Sequence, residues 1–275
     1  MTTIDHKISK WFVKIGLFLV LILLFINLNI TSIAQAETNS NSSAATKENA
    51  MNAVLNYLRA QKQCNVDGMI ENSKYFRDIS NEREFYSIIC KKHPLKQADI
   101  TNVTVVNDEL ALVSIEAKYK DKLFVNTAPV LKMNGQWKIV KGIPGTGTAH
   151  FSDLKENHKI YEEVKQTIVN YTQAIKSGNI NEMKKYRKDL HISNKFDLDK
   201  HLEAISKKPA VKIKPVGIEI ISDTLAIAFI ETNFEHFGTR ETYAVFKENR
   251  QWKIIYGQNL THSVIPISDD SIEVK

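Results

Sequence analysis

Apolar and polar residues alternate through four neighbouring stretches in the middle of the chain, which is typical of strands that bury one face. The last two stretches are joined by Asn134 and Gly135, a strong signal for a two-residue hairpin. The pattern therefore predicts an antiparallel meander. Its strands are predicted at residues 98–106, 109–119, 123–133 and 137–143.

The same alternation occurs a second time, 115 residues further along the chain. Residues 136–139, with the sequence QWKI, are repeated as residues 251–254, and Glu116 aligns with Glu231. Agreement at one fixed offset over a whole segment indicates an internal duplication. The second set of strands is predicted at residues 211–221, 224–234, 240–247 and 251–256.

Each set of strands is preceded by apolar residues that are spaced for one face of a helix. Residues 48–63 carry them at i, i+3, i+4 and i+7, and a matching stripe includes Tyr171, which aligns with Tyr57 at an offset of 114. Shorter helices are predicted between each long helix and its strands. We therefore predict an α+β fold, in which two tandem domains each combine helices with a curved antiparallel sheet.

The first 36 residues have the pattern of a targeting segment. Lysines precede an unbroken apolar run at residues 15–26, and residues 34–36, AQA, form a small-x-small cleavage site. A cleaved signal peptide and an uncleaved membrane anchor both agree with this pattern. In either case the basic side stays in the cytoplasm, so the rest of the chain is expected to be exported. We expect a protein that is secreted or attached to the outer face of the cytoplasmic membrane, with a signal of the Gram-positive type.

Changes in composition suggest where the domains begin and end. A stretch rich in serine and asparagine follows the targeting segment and is predicted to be a flexible linker, because it cannot bury enough apolar surface to fold. A second linker is rich in glycine and threonine and separates the two copies. The predicted segments are a signal peptide or anchor at 1–36, a linker at 37–47, a first cone-like domain at 48–143, a linker at 144–151, a second cone-like domain at 152–258 and a tail at 259–275.

Charge and composition argue against several classes of function. The formal net charge of +6 is spread along the chain, whereas a nucleic-acid-binding protein would present a clustered basic face. The histidines are scattered, and no pair has the spacing and adjacent glutamate of a zinc protease helix. No G-x-S-x-G nucleophile elbow is present. We therefore expect no nucleic-acid partner, no metal, no cofactor and no catalytic residues.

The two copies end in the strand pairs KMNGQWKIVKG and KENRQWKIIYG. With the preceding helices, these endings make each copy resemble the nuclear transport factor 2-like superfamily, in the type found in exported bacterial proteins. The resemblance implies a cone-shaped α+β fold, with a helix across a concave sheet and an apolar pocket at the mouth. Enzymes of the superfamily place Asp, Tyr or His acid-base groups in that pocket, but no such set maps onto this sequence.

Four residues at equivalent positions are the candidates for lining the two pockets: Tyr57, Glu116, Tyr171 and Glu231. A buried carboxyl group would have a raised pKa and could act as a general base. The alternative is that the glutamates are solvated or paired with lysines at strand ends. The tyrosines are either pocket residues or core aromatics with a satisfied hydroxyl.

Cys64 and Cys90 are the only cysteines, and both lie in the first copy. An even number of cysteines in an exported chain permits a disulfide, and two free thiols are the alternative.

Three hypotheses of function remain open. The leading one is a non-enzymatic binding or interaction protein of the cell envelope, whose two pocket-bearing domains hold a small molecule, a cell-wall polymer or an envelope protein. It would contact the membrane only through its N-terminal segment, if that segment is uncleaved. The second is a structural subunit of an envelope conjugation or secretion machine. The third is a pocket enzyme, a hydrolase or an isomerase, which would depend on Glu116 or Glu231.

Overall fold

The computed structural model describes residues 42–120, 122–144, 158–207 and 212–266 of the 275-residue chain. The predicted signal peptide or anchor lies outside these ranges. Most of the predicted domain linker at 144–151 and the end of the predicted tail at 259–275 also lie outside them, so these boundaries stay predictions.

The first half begins with helix α1, which is described over residues 42–62. Asparagine side chains cap the two helices that follow: Asn65 accepts a hydrogen bond from the Gly68 amide at 3.1 Å, and Asn81 accepts one from the Glu84 amide at 3.2 Å. The remaining elements of this half are α2 (Val66–Glu71), β1 (Ser73–Tyr75), α3 (Glu82–Lys92), β2 (Gln97–Val105), β3 (Leu110–Lys118), β4 (Lys122–Met133) and β5 (Gln136–Lys141).

The second half repeats this order. Asn179 caps α5 by accepting a hydrogen bond from the Glu182 amide at 3.2 Å. Asn65 holds the equivalent position in the first half, where it caps α2. A final strand then follows, for which the described part of the first half has no counterpart. The elements are α4 (His158–Ser177), α5 (Ile180–Tyr186), β6 (Arg187–Asp189), α6 (Lys195–Lys207), β7 (Lys212–Ile220), β8 (Leu225–Asn233), β9 (Gly238–Glu248), β10 (Gln251–Tyr256) and β11 (Thr261–Pro266).

Two separate sheets result, with the same strand order. The first runs β1-β5-β4-β3-β2 and the second β6-β10-β9-β8-β7; only the short first strand of each pairs in parallel. Both contain a register shift at the matching place, between Ile100 and Asn102 and between Pro215 and Gly217. Such bulges bend a strand and help a sheet to curl. The α+β prediction, with two curved antiparallel sheets and their helices, is confirmed.

Alternate residues of the central strands belong to two different hydrophobic cores. In β3, Ala111, Val113 and Ile115 pack with the helices of the first half, whereas Leu110 and Leu112 belong to a cluster that both halves share. The second half contributes to this shared cluster the side chains of Ile221, Leu225, Ile227, Phe229, Ala244, Phe246, Ile255 and Leu260. The sheets therefore pack against each other through the faces that point away from their helices.

Polar contacts add to this packing between the halves. Arg77 lies 2.9 Å from Glu219, which is buried, and the Gln258 amide donates to the Ser114 hydroxyl at 3.1 Å. The described residues from Thr46 onward form one compact unit.

The last strand connects the end of the chain to the first sheet. β11 pairs antiparallel with β4, with His262 opposite Asn126. The sequence predicts a short edge strand in this tail at residues 264–268, VIPIS. The observed strand begins earlier, at Thr261, and its partner lies in the other half of the molecule. The second half thus supplies a sixth strand to the sheet of the first.

The structure corrects the predicted linker at 37–47. Residues 42–47 are helical and belong to α1, so the helix begins before the predicted start at residue 48. Two alanines in this stretch favour the helix, and Thr46 is buried. The serine and asparagine content therefore did not determine the conformation here.

Cys64 and Cys90 form a disulfide, with their Cα atoms 5.3 Å apart. It joins the end of α1 to α3. Cys64 has a φ of +52°, and Gly178, its equivalent after α4, has a φ of +67°. Both copies therefore end their long helix in the left-handed conformation that favours glycine.

Candidate ligand-binding cavities

In each half, a cavity lies between the helices and the concave face of the sheet. The first cavity has a volume of about 220 Å³ and is bounded by Tyr57, Gln61, Tyr119, Asn126 and Lys141, among others. The second cavity has a volume of about 410 Å³. Its walls include Tyr171, Ile175, Phe234, Glu241 and Tyr256.

The two cavities are lined at matching positions of the duplicated sequence. Two pairs are offset by 114 residues and four by 115, as in the helix and sheet alignments. The pairs are Tyr57 with Tyr171, Gln61 with Ile175, Tyr119 with Phe234, Phe124 with Thr239, Asn126 with Glu241 and Lys141 with Tyr256. The cavities are therefore the same feature of the fold, formed twice with different chemistry.

Lys141 is the basic residue that distinguishes the first cavity. It continues the inward register of Ile139 at the end of β5, and its Nζ lies 5.0 Å from the centre of the Tyr57 ring. Burial lowers the pKa of Lys141 to about 8. Among the described residues, no aspartate or glutamate lines this cavity, and none forms a salt bridge with Lys141.

Other polar groups surround Lys141. The Gln61 amide donates to the Tyr119 hydroxyl at 3.0 Å, but its Oε1 is buried without a partner among the described residues. His262 reaches the cavity from β11, and its ring lies 5.6 Å from that of Phe124. Burial and the nearby Lys141 lower the pKa of His262.

The second cavity contains a buried arginine whose charge is paired. Arg187 lies 2.5 Å from Asp189, donates to the Tyr171 hydroxyl at 3.0 Å and lies 3.1 Å from His201 Nε2. Its guanidinium carbon stands 4.0 Å over the Tyr256 ring. Burial alone would raise the pKa of Asp189, but hydrogen bonds from Arg187 and two backbone amides lower it. The Nε of Arg187 has no partner among the described residues.

A second carboxylate, Glu241, lines the same cavity. It accepts hydrogen bonds from the Tyr243 hydroxyl and, at 2.8 Å, from the Asn259 amide. Burial and this carboxylate raise the pKa of Tyr243 well above its usual value. The first cavity has the neutral Asn126 at the position of Glu241.

Two of the four predicted pocket residues line the cavities, and two do not. Tyr57 and Tyr171 occupy equivalent places in the walls. Glu116 is exposed and Glu231 belongs to a surface network, so their expected place in the pockets is corrected. Both glutamates follow the register of the leucines that face the other sheet, and they therefore point away from the cavity. Hydrogen bonds from Asn233, Arg240 and Lys214 lower the pKa of Glu231 to about 2.

Sequence reasoning missed the charged residues of both cavities. Lys141 could have been found, because it falls two residues after the inward-facing Ile139 and so shares its face. Glu241 could have been found in the same way, because it shares the face of Tyr243 and Val245 in β9, whereas Arg187 has no comparably local signal. His262 depends on a pairing between distant strands.

None of the helices in the described ranges is long and apolar enough to cross a membrane. Those ranges also contain no group of three or more His, Cys, Asp or Glu residues that is arranged to hold a metal ion.

The fold and its cavities define an α+β protein with two cone-like halves. A protein family described as "Putative lumazine-binding" matches residues 70–143, which lie in the first half. Together with the α+β architecture, this match confirms the predicted resemblance to nuclear transport factor 2-like domains. The matched residues include β1 to β5 and Lys141.

Two solved structures are also similar to this chain. A cystatin-like protein from Ruminococcus gnavus is 9% identical, with 83% of this chain and 95% of that chain covered and a TM-score of 0.27. A nuclear transport factor 2-like protein involved in plasmid conjugation is 11% identical, with 70% and 90% covered and the same TM-score of 0.27. Neither likeness informs the function. No curated protein sequence matches the chain.

Proposed function

We propose that this chain is an exported binding protein that holds a planar small molecule in each of its two cavities. The observation that carries the proposal is the lining of both cavities at six matching positions. Duplication preserved an open, aromatic-walled space in both copies, although the fold can close such a space with larger side chains.

The walls have the composition of a ligand site. Small-molecule pockets are mostly apolar, with a few polar groups that fix the orientation, and commonly enclose about 300–1,000 Å³. The second cavity, at about 410 Å³, lies in this range, and the first, at about 220 Å³, suits a smaller bicyclic molecule. Tyrosines stand on several sides of each cavity and offer ring faces for stacking.

The family match suggests the first probe. Lumazine is a bicyclic pteridine with ring N–H groups and carbonyl oxygens, and the family that matches residues 70–143 carries its name. The amide groups of Gln61 and Asn126 offer the donors and acceptors that such a ring system would need.

Export is part of the proposal and rests on the N-terminal sequence. The apolar run at 15–26 and the AQA site at 34–36 support it, as does the disulfide between Cys64 and Cys90, because disulfides persist in oxidising compartments. The enzyme hypothesis loses its basis in Glu116 and Glu231, since both lie outside the cavities.

Calorimetric titration with lumazine, 2-naphthoate and 2-naphthamide tests the binding. Ile89→Trp and Ile205→Trp each enlarge a partly buried residue of a cavity wall, the first cavity and the second respectively. Each variant should lose the site on its own side and keep the other. Ile88→Trp is the matched control, because Ile88 neighbours Ile89 on α3 but is exposed and does not line the cavity.

The proposal fails if none of the three probes binds the wild-type protein. It fails equally if binding persists when both cavities are blocked by the Ile89→Trp and Ile205→Trp changes together.

A further inference from the structure

We propose that the first cavity is specific for ligands with an anionic group, for which Lys141 is the counter-ion, and that the tail strand β11 completes this site. The inference rests on the proposed function, since it names the class of ligand that one of the two cavities takes.

The charge of Lys141 is unpaired. Its ammonium contacts the face of Tyr57, and no carboxylate of the described residues lies within ion-pair distance. Lys141 is partly buried, and a charge that is withdrawn from water is costly unless it is paired. A carboxylate, phosphate or ionised ring nitrogen of a ligand would supply the missing partner and form a charge-assisted hydrogen bond.

The groups around Lys141 do not provide a counter-ion, so a ligand can take that role. They come from every element that packs around it, and none of them carries a negative charge near neutral pH. Burial raises the pKa of each tyrosine among them. The titratable groups are Tyr57 of α1, Tyr75 of β1, Tyr86 of α3, His93 after α3, Tyr119 after β3 and His262 of β11.

An acceptor in the same cavity is unsatisfied. Gln61 is only 4% exposed; its Nε2 donates to the Tyr119 hydroxyl, and its Oε1 has no partner among the described residues. Buried polar atoms without partners are rare in folded proteins. A ligand that presents a donor to Gln61 and an anionic group to Lys141 would satisfy both.

One wall of the first cavity comes from the second half of the chain. β11 pairs with β4 over six residues and brings His262 opposite Asn126, so a segment from the second half closes the side of the first cavity. In the second sheet, β9 contacts the residues just before β11, through the Thr242–Leu260 bridge and the hydrogen bond from the Asn259 amide to Glu241. The first cavity thus contains His262, a residue that its own copy does not encode.

The second cavity provides an internal comparison. Tyr256 replaces Lys141 there, and the buried cation is Arg187, which Asp189 already neutralises. The carboxylate of Glu241 further disfavours an anion in that space. The same fold thus gives one cavity that attracts anions and one that does not.

Two probes of nearly equal shape separate the contribution of the ligand's charge from that of its shape. 2-Naphthoate and 2-naphthamide are titrated into the Ile205→Trp protein, in which only the first cavity is open. At about pH 7 we expect naphthoate to bind about tenfold more tightly than naphthamide, as one charge-assisted bond would give. Lys141→Gln should remove this difference by weakening naphthoate alone, whereas Lys118→Gln, which removes an exposed charge on the same sheet, should change neither affinity.

Raising the pH gives a second signature. The affinity for naphthoate should fall towards about pH 9.5 as the Lys141 ammonium loses its proton, while the affinity for naphthamide stays constant. Lys141→Arg should bind naphthoate at both pH values, because a guanidinium keeps its proton.

The possible results separate the two proposals. Equal affinities for both probes, with no effect of Lys141→Gln, would overturn the anion specificity and leave the binding function in place, provided that Ile89→Trp abolishes both. If neither probe binds the first cavity, both proposals fail for this half of the molecule.

Discussion

The two cavities differ most in how their buried cations are neutralised. In the second, Arg187 is paired with Asp189 and packed on Tyr256. In the first, the ammonium of Lys141 lies over the face of Tyr57 and has no acidic partner among the described residues. Duplication thus kept the framework and changed the electrostatics.

This difference shows how one fold can separate stability from binding. A paired charge contributes to the folded state whether or not a ligand is present, but an unpaired one is costly until a ligand arrives. Strained or unsatisfied groups of this kind are expected where binding takes place.

Removing Arg187 should be the most damaging change to the second half. Arg187→Met leaves Asp189, whose side chain is 4% exposed, without its counter-ion. Breaking a buried pair from one side costs about 3–5 kcal/mol. We expect a loss of this size in the free energy of unfolding, measured with urea at about pH 7.

Two further variants identify the cause. Adding Asp189→Asn to Arg187→Met removes the stranded charge, keeps an oxygen for the backbone amides of His191 and Ile192, and should restore more than half of the loss. Lys207→Met breaks an exposed pair with Glu203 and should cost less than about 1 kcal/mol. A loss in Arg187→Met that Asp189→Asn does not reduce would assign the effect to packing instead of charge.

Much of the fold could be predicted from the sequence because its signals are local and occur twice. The strand predicted at 251–256 is observed as Gln251–Tyr256, and the one predicted at 109–119 as Leu110–Lys118. Alternation defines a strand without knowledge of its partners. The duplication then predicts the same element in the other half.

The face of each strand that meets the helices could not be predicted in this way. Leu110 and Ala111 are both fully buried, since β3 lies between its own helices and the other sheet. A strand that is buried on both faces gives no sign of which one borders the cavity. The pattern therefore predicts Glu116 and Glu231 in the pockets, although they share the register of the opposite face.

Removing the disulfide should destabilise the first half, which alone has one. Replacing Cys64 and Cys90 by alanine removes a cross-link between positions that are 26 residues apart in the sequence. The chain-entropy estimate for a loop of this size is about 3 kcal/mol. Urea unfolding of the double variant should show this loss, while the titration of the second cavity stays unchanged.

Gly178 of the second half supplies the control for this variant. Cys64 shares its left-handed backbone, in which alanine is strained and glycine is not. Glycine at position 64 with alanine at position 90 should therefore be more stable than the double alanine variant by about 1 kcal/mol. Equal stabilities would show that the helix end relaxes once the disulfide is absent.

Replacing Lys141 should stabilise the protein without a ligand, in contrast to replacing Arg187. Lys141→Met removes an unpaired, partly buried charge and keeps an apolar stem of similar length. We expect a gain of about 1 kcal/mol in the free energy of unfolding at about pH 7, together with the loss of naphthoate binding. Lys118→Met, at an exposed position, should leave the stability nearly unchanged.

The pH dependence of this gain follows from the pKa of Lys141. Burial lowers it from 10.5 to about 8 in the folded state, so between these values the unfolded chain binds more protons than the folded one. The cost of the buried charge is fully present below about pH 8 and disappears as the pH rises towards 10.5. The stabilisation by Lys141→Met should therefore shrink over this range, and saturating naphthoate should remove it near pH 7 by stabilising the wild type alone. If Lys141→Met instead destabilises the protein at every pH, the ammonium has a partner that the unliganded cavity already provides, and the contrast between the two cavities fails.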